Sequence, residues 1–496
     1  MPEVNLRVPA VAVREIRLNT ITGFQGNASD LVRQSRCGGL GEQSRSFTQC
    51  LGCSTSTAAC MVTLVRDGIV ISHGPVGCSS CLHEFAFTYR VNAPLRGVDQ
   101  PTQRHIYSTN LTEEDMVFGG SQKLADTIHE VYGLEQPKVI FVITTCASGI
   151  IGDDVEGVCN EAEEELGIPV VAVFCEGFRS KVWTSGFDAG YHAVARKLIK
   201  QPRTDAKGQP VRRPIINVIN FWGSDVFSRW FEQFGVTPNF ITPYATTDTL
   251  ASSSEALVSV EACTTLGSYL SGALEQEFGV PALHAAPPYG IPATDRWLRA
   301  LGAALGKPEV AEHIIEADRA TFSPRIAELR EQLAGKTAYV TAGAGHGHSL
   351  LALLSELGID AQGAALFHHD PINDFEAEEA DALIATVADY GDVPNFNICN
   401  KQEFELVNVL NRIKPDILLA RHGGMTLWGA KLGIPSLLIG DEHFGMGYEG
   451  LVKYGEAILE IVENNEFVTN LARHSINPYS QWWLKQPPHT FLERAS

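Results

Sequence analysis

Short, mostly apolar runs recur along this chain, and several are followed closely by glycine, cysteine or histidine. Val70-Ile-Ser-His73 leads into Gly74-Pro-Val-Gly-Cys78. Lys138-Val-Ile-Phe-Val-Ile143 leads into Thr144-Thr-Cys146, and Val170-Val-Ala-Val-Phe174 into Cys175. Runs of this length without polar alternation predict strands buried on both faces, as in parallel sheets. Asp153 to Leu166 carries an acidic face and ends at Gly167-Ile-Pro169, which predicts a helix between two such strands. Strand, helix and strand in about forty residues predict a βαβ unit.

The pattern restarts twice. Gln201 to Pro214 is rich in Lys, Arg, Gly and Pro and reads as a linker. Ile215-Ile-Asn-Val-Ile-Asn220 opens a second βα series. Thr337-Ala-Tyr-Val-Thr341 opens a third, which includes Asp416-Ile-Leu-Leu-Ala420 and Pro435-Ser-Leu-Leu-Ile439. The fold class predicted is α/β, with three Rossmann-like domains and mainly parallel sheets. The expected organisation is an arm over 1–30, domains over 31–210, 211–335 and 336–475, and a tail over 476–496. Gly343-Ala-Gly345-His-Gly347 precedes a helix expected from Ser349 to Leu357. Its spacing fits a dinucleotide loop poorly and favours close backbone approach to another buried ligand.

Composition narrows the partners. The formal net charge of −20 argues against a nucleic-acid partner, because phosphate binding needs basic patches. No apolar stretch of about 18 residues predicts a membrane span. Eleven cysteines without a signal-peptide pattern point to a reducing cytoplasm. No GxxxxGKS/T loop is present, so ATP hydrolysis is not expected of this chain.

The cysteines are therefore read as metal ligands or working thiols. Cys50-Leu-Gly-Cys53 and Cys78-Ser-Ser-Cys81 leave 24 residues between Cys53 and Cys78. That gap is longer than the roughly 15–20 of a zinc ribbon. Cys146 extends the thiol set past four, and Cys78 follows a tight glycine turn after a buried strand. A buried cluster is the better reading. Cys37, Cys60, Cys159, Cys175 and Cys399 are single thiols, for which core packing is the default. His368-His-Asp370 reads as surface or hydrogen-bonded rather than as a metal pair.

These residues resemble the α subunit of nitrogenase component 1 along nearly the whole chain. The resemblance implies that Cys53, Cys78 and Cys146 supply three thiolates to an 8Fe–7S P-cluster, with Cys50 the alternative to Cys53. A homologous β subunit would supply the other three, in a heterotetramer of two such pairs. Cys263-Thr-Thr-Leu-Gly-Ser-Tyr-Leu resembles the segment whose cysteine binds the terminal iron of the catalytic cofactor. Lys431-Leu-Gly-Ile-Pro435 to Gly447-Tyr-Glu-Gly450 resembles the segment holding the opposite end, with His443 as the ligand. The resemblance implies a large iron–sulfur cofactor, either FeMo-cofactor-like or its carbide-containing 8Fe–9S precursor form, and an ATP-dependent 4Fe–4S reductase as electron donor.

The departures concern the lining of the cofactor pocket. Gly424 falls at the family lysine that helps bind homocitrate, Asp441 at a glutamine on the same acid, and Gly345 or His346 at an arginine. Phe178 to Phe187 covers the family's glutamine and histidine without an equivalent of either, and Met446 replaces a second histidine. This implies little or no homocitrate and more apolar room. The pattern most resembles the D subunit of the nitrogenase-like methylthio-alkane reductases. It implies two-electron, two-proton cleavage of a small-molecule C–S bond to methanethiol and an alkane or alkene. A molybdenum-free nitrogenase α subunit and a cofactor-assembly scaffold are the alternatives. No catalytic side chain is assigned.

Overall fold

The computed structural model describes all residues except 1–2, 42, 44–51, 81, 83–92, 99–105, 220–224, 372–381, 400–402, 422–423, 440–444 and 492–496. The chain divides into two compact units. Met1–Arg17 and Gly52–Leu283 form the first, and Leu18–Leu51 and His284–Ser496 the second.

Strands are numbered along the chain, and β1 (Phe24–Gly26) belongs to the second unit. In the first unit β2 (Gly68–His73), β3 (Ile106–Ser108), β4 (Val139–Thr144) and β5 (Val170–Val173) form a parallel sheet in the order β3-β2-β4-β5. Every residue of β4 is buried, as its unbroken apolar run requires. One face carries Ile71, Ile140, Val142, Val170 and Ala172. Leu124, Ile128 and Val131 cover it from the helix Ser121–Glu135, at helical spacing. The helix Val155–Leu166 covers it too, capped by Asp154 on the Gly157 N–H at its start and by left-handed Gly167 at its end. The helices Ser54–Thr63 and Ser185–Lys197 pack on the sheet elsewhere and on each other.

A second sheet in the same unit, β7-β6-β8, is also parallel. It comprises β6 (Ile215–Ile219), β7 (Thr237–Ile241) and β8 (Val258–Glu261).

The second unit holds β9 (Thr337–Ala342), β10 (Asp360–Leu366), β11 (Phe396–Ile398), β12 (Ile417–Ala420) and β13 (Ser436–Leu438). Its sheet order is β1-β11-β10-β9-β12-β13, parallel except for β1, which runs antiparallel to β11. Among the described residues the architecture is α/β with mainly parallel sheets, as expected. No described helix is long and apolar enough to cross a membrane.

Some local expectations change. Part of the segment read as an arm becomes edge strand β1, and Arg14 within it is completely buried. The helix expected from Ser349 starts at Ala344, so Gly345 and Gly347 lie inside it. A Cβ on Gly347 would overlap the Leu366 side chain. This glycine therefore serves helix–strand packing rather than a ligand. Cys37 is exposed, contrary to core packing, whereas Cys60, Cys159, Cys175 and Cys399 are buried. In the tail Trp483 is buried beside Phe404 and donates to the Phe404 carbonyl at 3.0 Å. His369 and Asp370 are buried and hydrogen-bonded, to Ser35 at 3.1 Å and to Thr20 respectively.

The contact between the helices Ser54–Thr63 and Ser185–Lys197 is testable. A Cβ on Gly186 would overlap Ser54 O and Thr57 Oγ1 of the facing helix. Gly186→Ala should lower stability by roughly 1–3 kcal/mol through overpacking, read as a lower denaturant midpoint. An unchanged midpoint would show that these helices do not meet there.

Candidate functional site

Parallel pairing of β2 and β4 puts His73 opposite Thr144, so the loops that follow run side by side. Cys78 lies on the short helix Val76–Ser80 after β2, and Cys146 opens the helix Cys146–Ile151 after β4. Thr145 caps that helix reciprocally with Ser148, and its hydroxyl donates to the His73 carbonyl at 2.9 Å. Gly74 allows the crossing, because a Cβ there would overlap Thr145. Cys53 is the N-cap of Ser54–Thr63. Thr55 Oγ1 ties that helix start to the carbonyls of Thr144 (3.3 Å) and Cys175 (3.2 Å).

Gly177, just after β5, marks where the thiols meet. A Cβ placed on it would lie 3.1 Å from Cys53 Cβ, 3.7 Å from Cys53 Sγ and 3.5 Å from Cys146 Sγ. Two of the sequence-predicted thiols therefore flank one glycine, and the third, Cys78, lies on the short helix Val76–Ser80. Cys53 is exposed, and Cys78 and Cys146 are partly exposed. Among the described residues no three His, Cys, Asp or Glu side chains close around a single metal ion. Cys50 and Cys81 lie outside the described residues.

Sequence reasoning missed the polar support beneath these loops. His73 is fully buried, with Nε2 2.9 Å from Asp153 Oδ2 and Nδ1 3.1 Å from Thr109 Oγ1. Gly120 N–H donates to the other Asp153 oxygen at 2.8 Å. Burial lowers the His73 pKa against the opposing pull of Asp153. The sequence signal was the histidine and aspartate inside the two cysteine segments themselves. The thiol-bearing segments also expose apolar side chains: Val76, Ile150 and Phe178, with Val117 and Phe118 on the helix Glu113–Phe118 that packs on Cys146–Ile151.

Cys263, also in the first unit, is in a different setting. It is buried at the N-cap of the helix Thr264–Phe278. Burial pushes its thiol up to about 11, against hydrogen bonds from the Leu266 and Thr265 N–H groups and the Thr265 hydroxyl. A helix N-terminus that presents donors to sulfur stabilises a thiolate once a metal replaces the proton. Arg14 holds this turn by donating to the Thr265 carbonyl and pairing with buried Asp188 at 2.9 Å. In the segment Phe178 to Phe187, Trp183 and Phe187 pack edge to face with ring centres 5.5 Å apart.

In the second unit, His443 and Asp441 lie outside the described residues. Gly424 caps the helix Met425–Lys431 with φ 87°, a conformation that strains any side-chain-bearing residue. Met446 is buried at the start of Gly447–Glu463. Burial, and secondarily Arg421, lower the His346 pKa to about 3, which leaves it a neutral imidazole near pH 7.

Residues 53–463 match the family described as nitrogenase component 1 type oxidoreductase. The nitrogenase molybdenum-iron protein alpha chain of Clostridium pasteurianum is 28% identical, over 73% of this chain and 68% of that protein. The nitrogenase iron-molybdenum cofactor biosynthesis protein NifE of Methanococcus maripaludis is 27% identical over 82% of each chain. NifE of Methanosarcina barkeri is 32% identical over 62% of this chain and 68% of that one. The solved structure titled nitrogenase Cp1 at pH 5 shares the fold, with TM-score 0.69 and 24% identity over 89% of this chain and 94% of that chain. The chain thus belongs to the nitrogenase component 1 type oxidoreductases.

Proposed function

We propose that this chain is the cofactor-bearing subunit of a nitrogenase-like reductase that cleaves the C–S bond of methylthio-alkanes. The observation that carries the proposal is the Trp183–Phe187 aromatic pair, in the segment where the family's polar glutamine and histidine fall. Soft, apolar sulfides tolerate such a lining. The net change is R–S–CH3 plus two electrons and two protons to R–H plus CH3SH. With a β-hydroxyl on R, loss of water gives the alkene.

The residues fit the metal groups this reading needs. Cys53, Cys78 and Cys146 would hold half of an 8Fe–7S P-cluster, and a homologous β subunit would complete it. The support is the pair of thiols flanking Gly177 and their exposure. Cys263 and His443 would hold the two ends of the catalytic iron–sulfur cofactor. Cys263 is supported by a buried thiol already surrounded by N–H donors, and thiolate and imidazole both suit iron in such clusters. When bound, these clusters supply electrons singly, received from an ATP-dependent 4Fe–4S reductase. Exposed Val76, Val117, Phe118, Ile150 and Phe178 give both protein partners apolar surface to bury.

The NifE relatives favour a second reading, a scaffold that assembles a cofactor and hands it on. One assay separates the two. The complete complex with its reductase, given 2-methylthioethanol, should form ethylene and methanethiol. Fully loaded protein that forms neither product, yet passes labelled iron to a second apoprotein, would support the scaffold.

Cys263→Ala should remove the cofactor's iron and its spectrum and leave the P-cluster signal in place. Retention of the cofactor would refute the ligand assignment. Gly177→Ala should crowd Cys53 against Cys146 and reduce P-cluster occupancy, with cofactor content little changed. Full P-cluster iron in that variant would show that the two thiols do not share one site.

A further inference from the structure

The helix Ser185–Lys197 is buried over most of its length, and its side chains divide by helical spacing. Gly186 and Gly190 lie against Ser54–Thr63, where a Cβ on Gly190 would come 3.2 Å from Met61 Cβ. Asp188 and His192 hold the N-terminal segment and Tyr269, through Arg14 and through a 2.7 Å bond to the Tyr269 hydroxyl. Phe187 and Tyr191 are four residues apart and share a third stripe, which Trp183 continues toward the N-terminal side.

Tyr191 is fully buried, and its hydroxyl has no hydrogen-bond partner among the described residues. The helices bearing its neighbours are packed: Ser185–Lys197 meets both Ser54–Thr63, which carries Cys60, and Thr264–Phe278, which follows Cys263. The thiols of Cys60 and Cys263 and the Glu261 carboxylate lie near enough to act electrostatically on the phenol. A buried donor left unpaired is costly. Phenylalanine would fill the same space without that cost. The hydroxyl therefore calls for an acceptor, and the soft anionic sulfur expected at Cys263 is one.

We propose that Tyr191 donates a hydrogen bond from Oη to the sulfur-rich end of the metal cofactor held at Cys263, and so sets that cofactor's reduction potential. This rests on the reading of Cys263 given above. Hydrogen bonds to cluster sulfur favour the reduced, more negative state. Tyr191 is a positioning residue for charge and takes no part in bond making.

Tyr191→Phe in the complete complex tests this. Cofactor iron should stay at the wild-type level. The cofactor midpoint, followed by EPR in a redox titration, should shift to more negative potential while the P-cluster midpoint stays fixed. An exchangeable proton coupling of the cofactor signal, seen by ENDOR in H2O against D2O, should disappear. An unshifted midpoint with the coupling retained would overturn the proposal. The metal-free proteins give an independent check. Tyr191→Phe should melt at least as high as wild type, because it removes an unpaired hydroxyl. A clearly lower melting temperature would show that the hydroxyl already has a protein partner, and the proposal would fail. Cys263→Ala run in parallel separates the two claims: cofactor retained there refutes the ligand assignment, whereas cofactor lost there with no effect of Tyr191→Phe refutes only the hydrogen bond.

Discussion

Backbone contact between the helices Ser54–Thr63 and Ser185–Lys197 governs both candidate sites in the first unit. At Gly186 the second helix comes close enough that no side chain fits, and Thr57 Oγ1 donates to the Trp183 carbonyl at 2.6 Å. Cys53 is the N-cap of one helix. The other carries Asp188, whose pairing with Arg14 holds the Cys263 turn, and it carries Tyr191. Such a contact has little freedom to adjust, because protein interiors are packed like crystals. A shift of one helix would be felt at Cys53 and at Cys263 together.

Polar side chains do the finer work. The sheet brings strand ends to within a few ångströms, but the loops beyond them have unpaired backbone groups to satisfy. Thr55, Thr144, Thr145 and Ser148 meet that need at the ends of β2, β4 and β5. His73 and Asp153 lock the two cysteine loops from below. Arg14 and Asp188 are essentially buried ions, and Arg17 also pairs with Asp188, so it is loss of Asp188 that would strand the buried Arg14 charge, at a cost of about 3–5 kcal/mol. Among the described residues the Tyr191 hydroxyl is one of the buried polar groups that this frame leaves without a hydrogen bond.

Much of this was visible in the residues. The apolar runs predicted β2, β4 and β5 because strands buried on both faces admit few polar positions, and that constraint is local. The positions of Cys78 and Cys146 followed, since each is tied to a strand end by a short turn. The helix start at Ala344 was missed because Gly345 and Gly347 resemble a loop in sequence. There Gly347 leaves room for the Leu366 side chain on the neighbouring strand. The support given by His73 and Asp153 was hidden for a similar reason, as the two lie eighty residues apart and meet only through the pairing of β2 with β4.

The sequence alone determined the strand-and-helix alternation, the thiol-bearing segments and the family they resemble, because these depend on local periodicity and on residue identity at short spacing. Only the tertiary structure decided that Cys53 and Cys146 flank Gly177, that Arg14 is a buried clamp and that the buried Tyr191 hydroxyl finds no hydrogen bond among the described residues. Those facts depend on which faces of distant helices meet. Burial and hydrogen-bond satisfaction are set by that meeting, and no short window of sequence contains it.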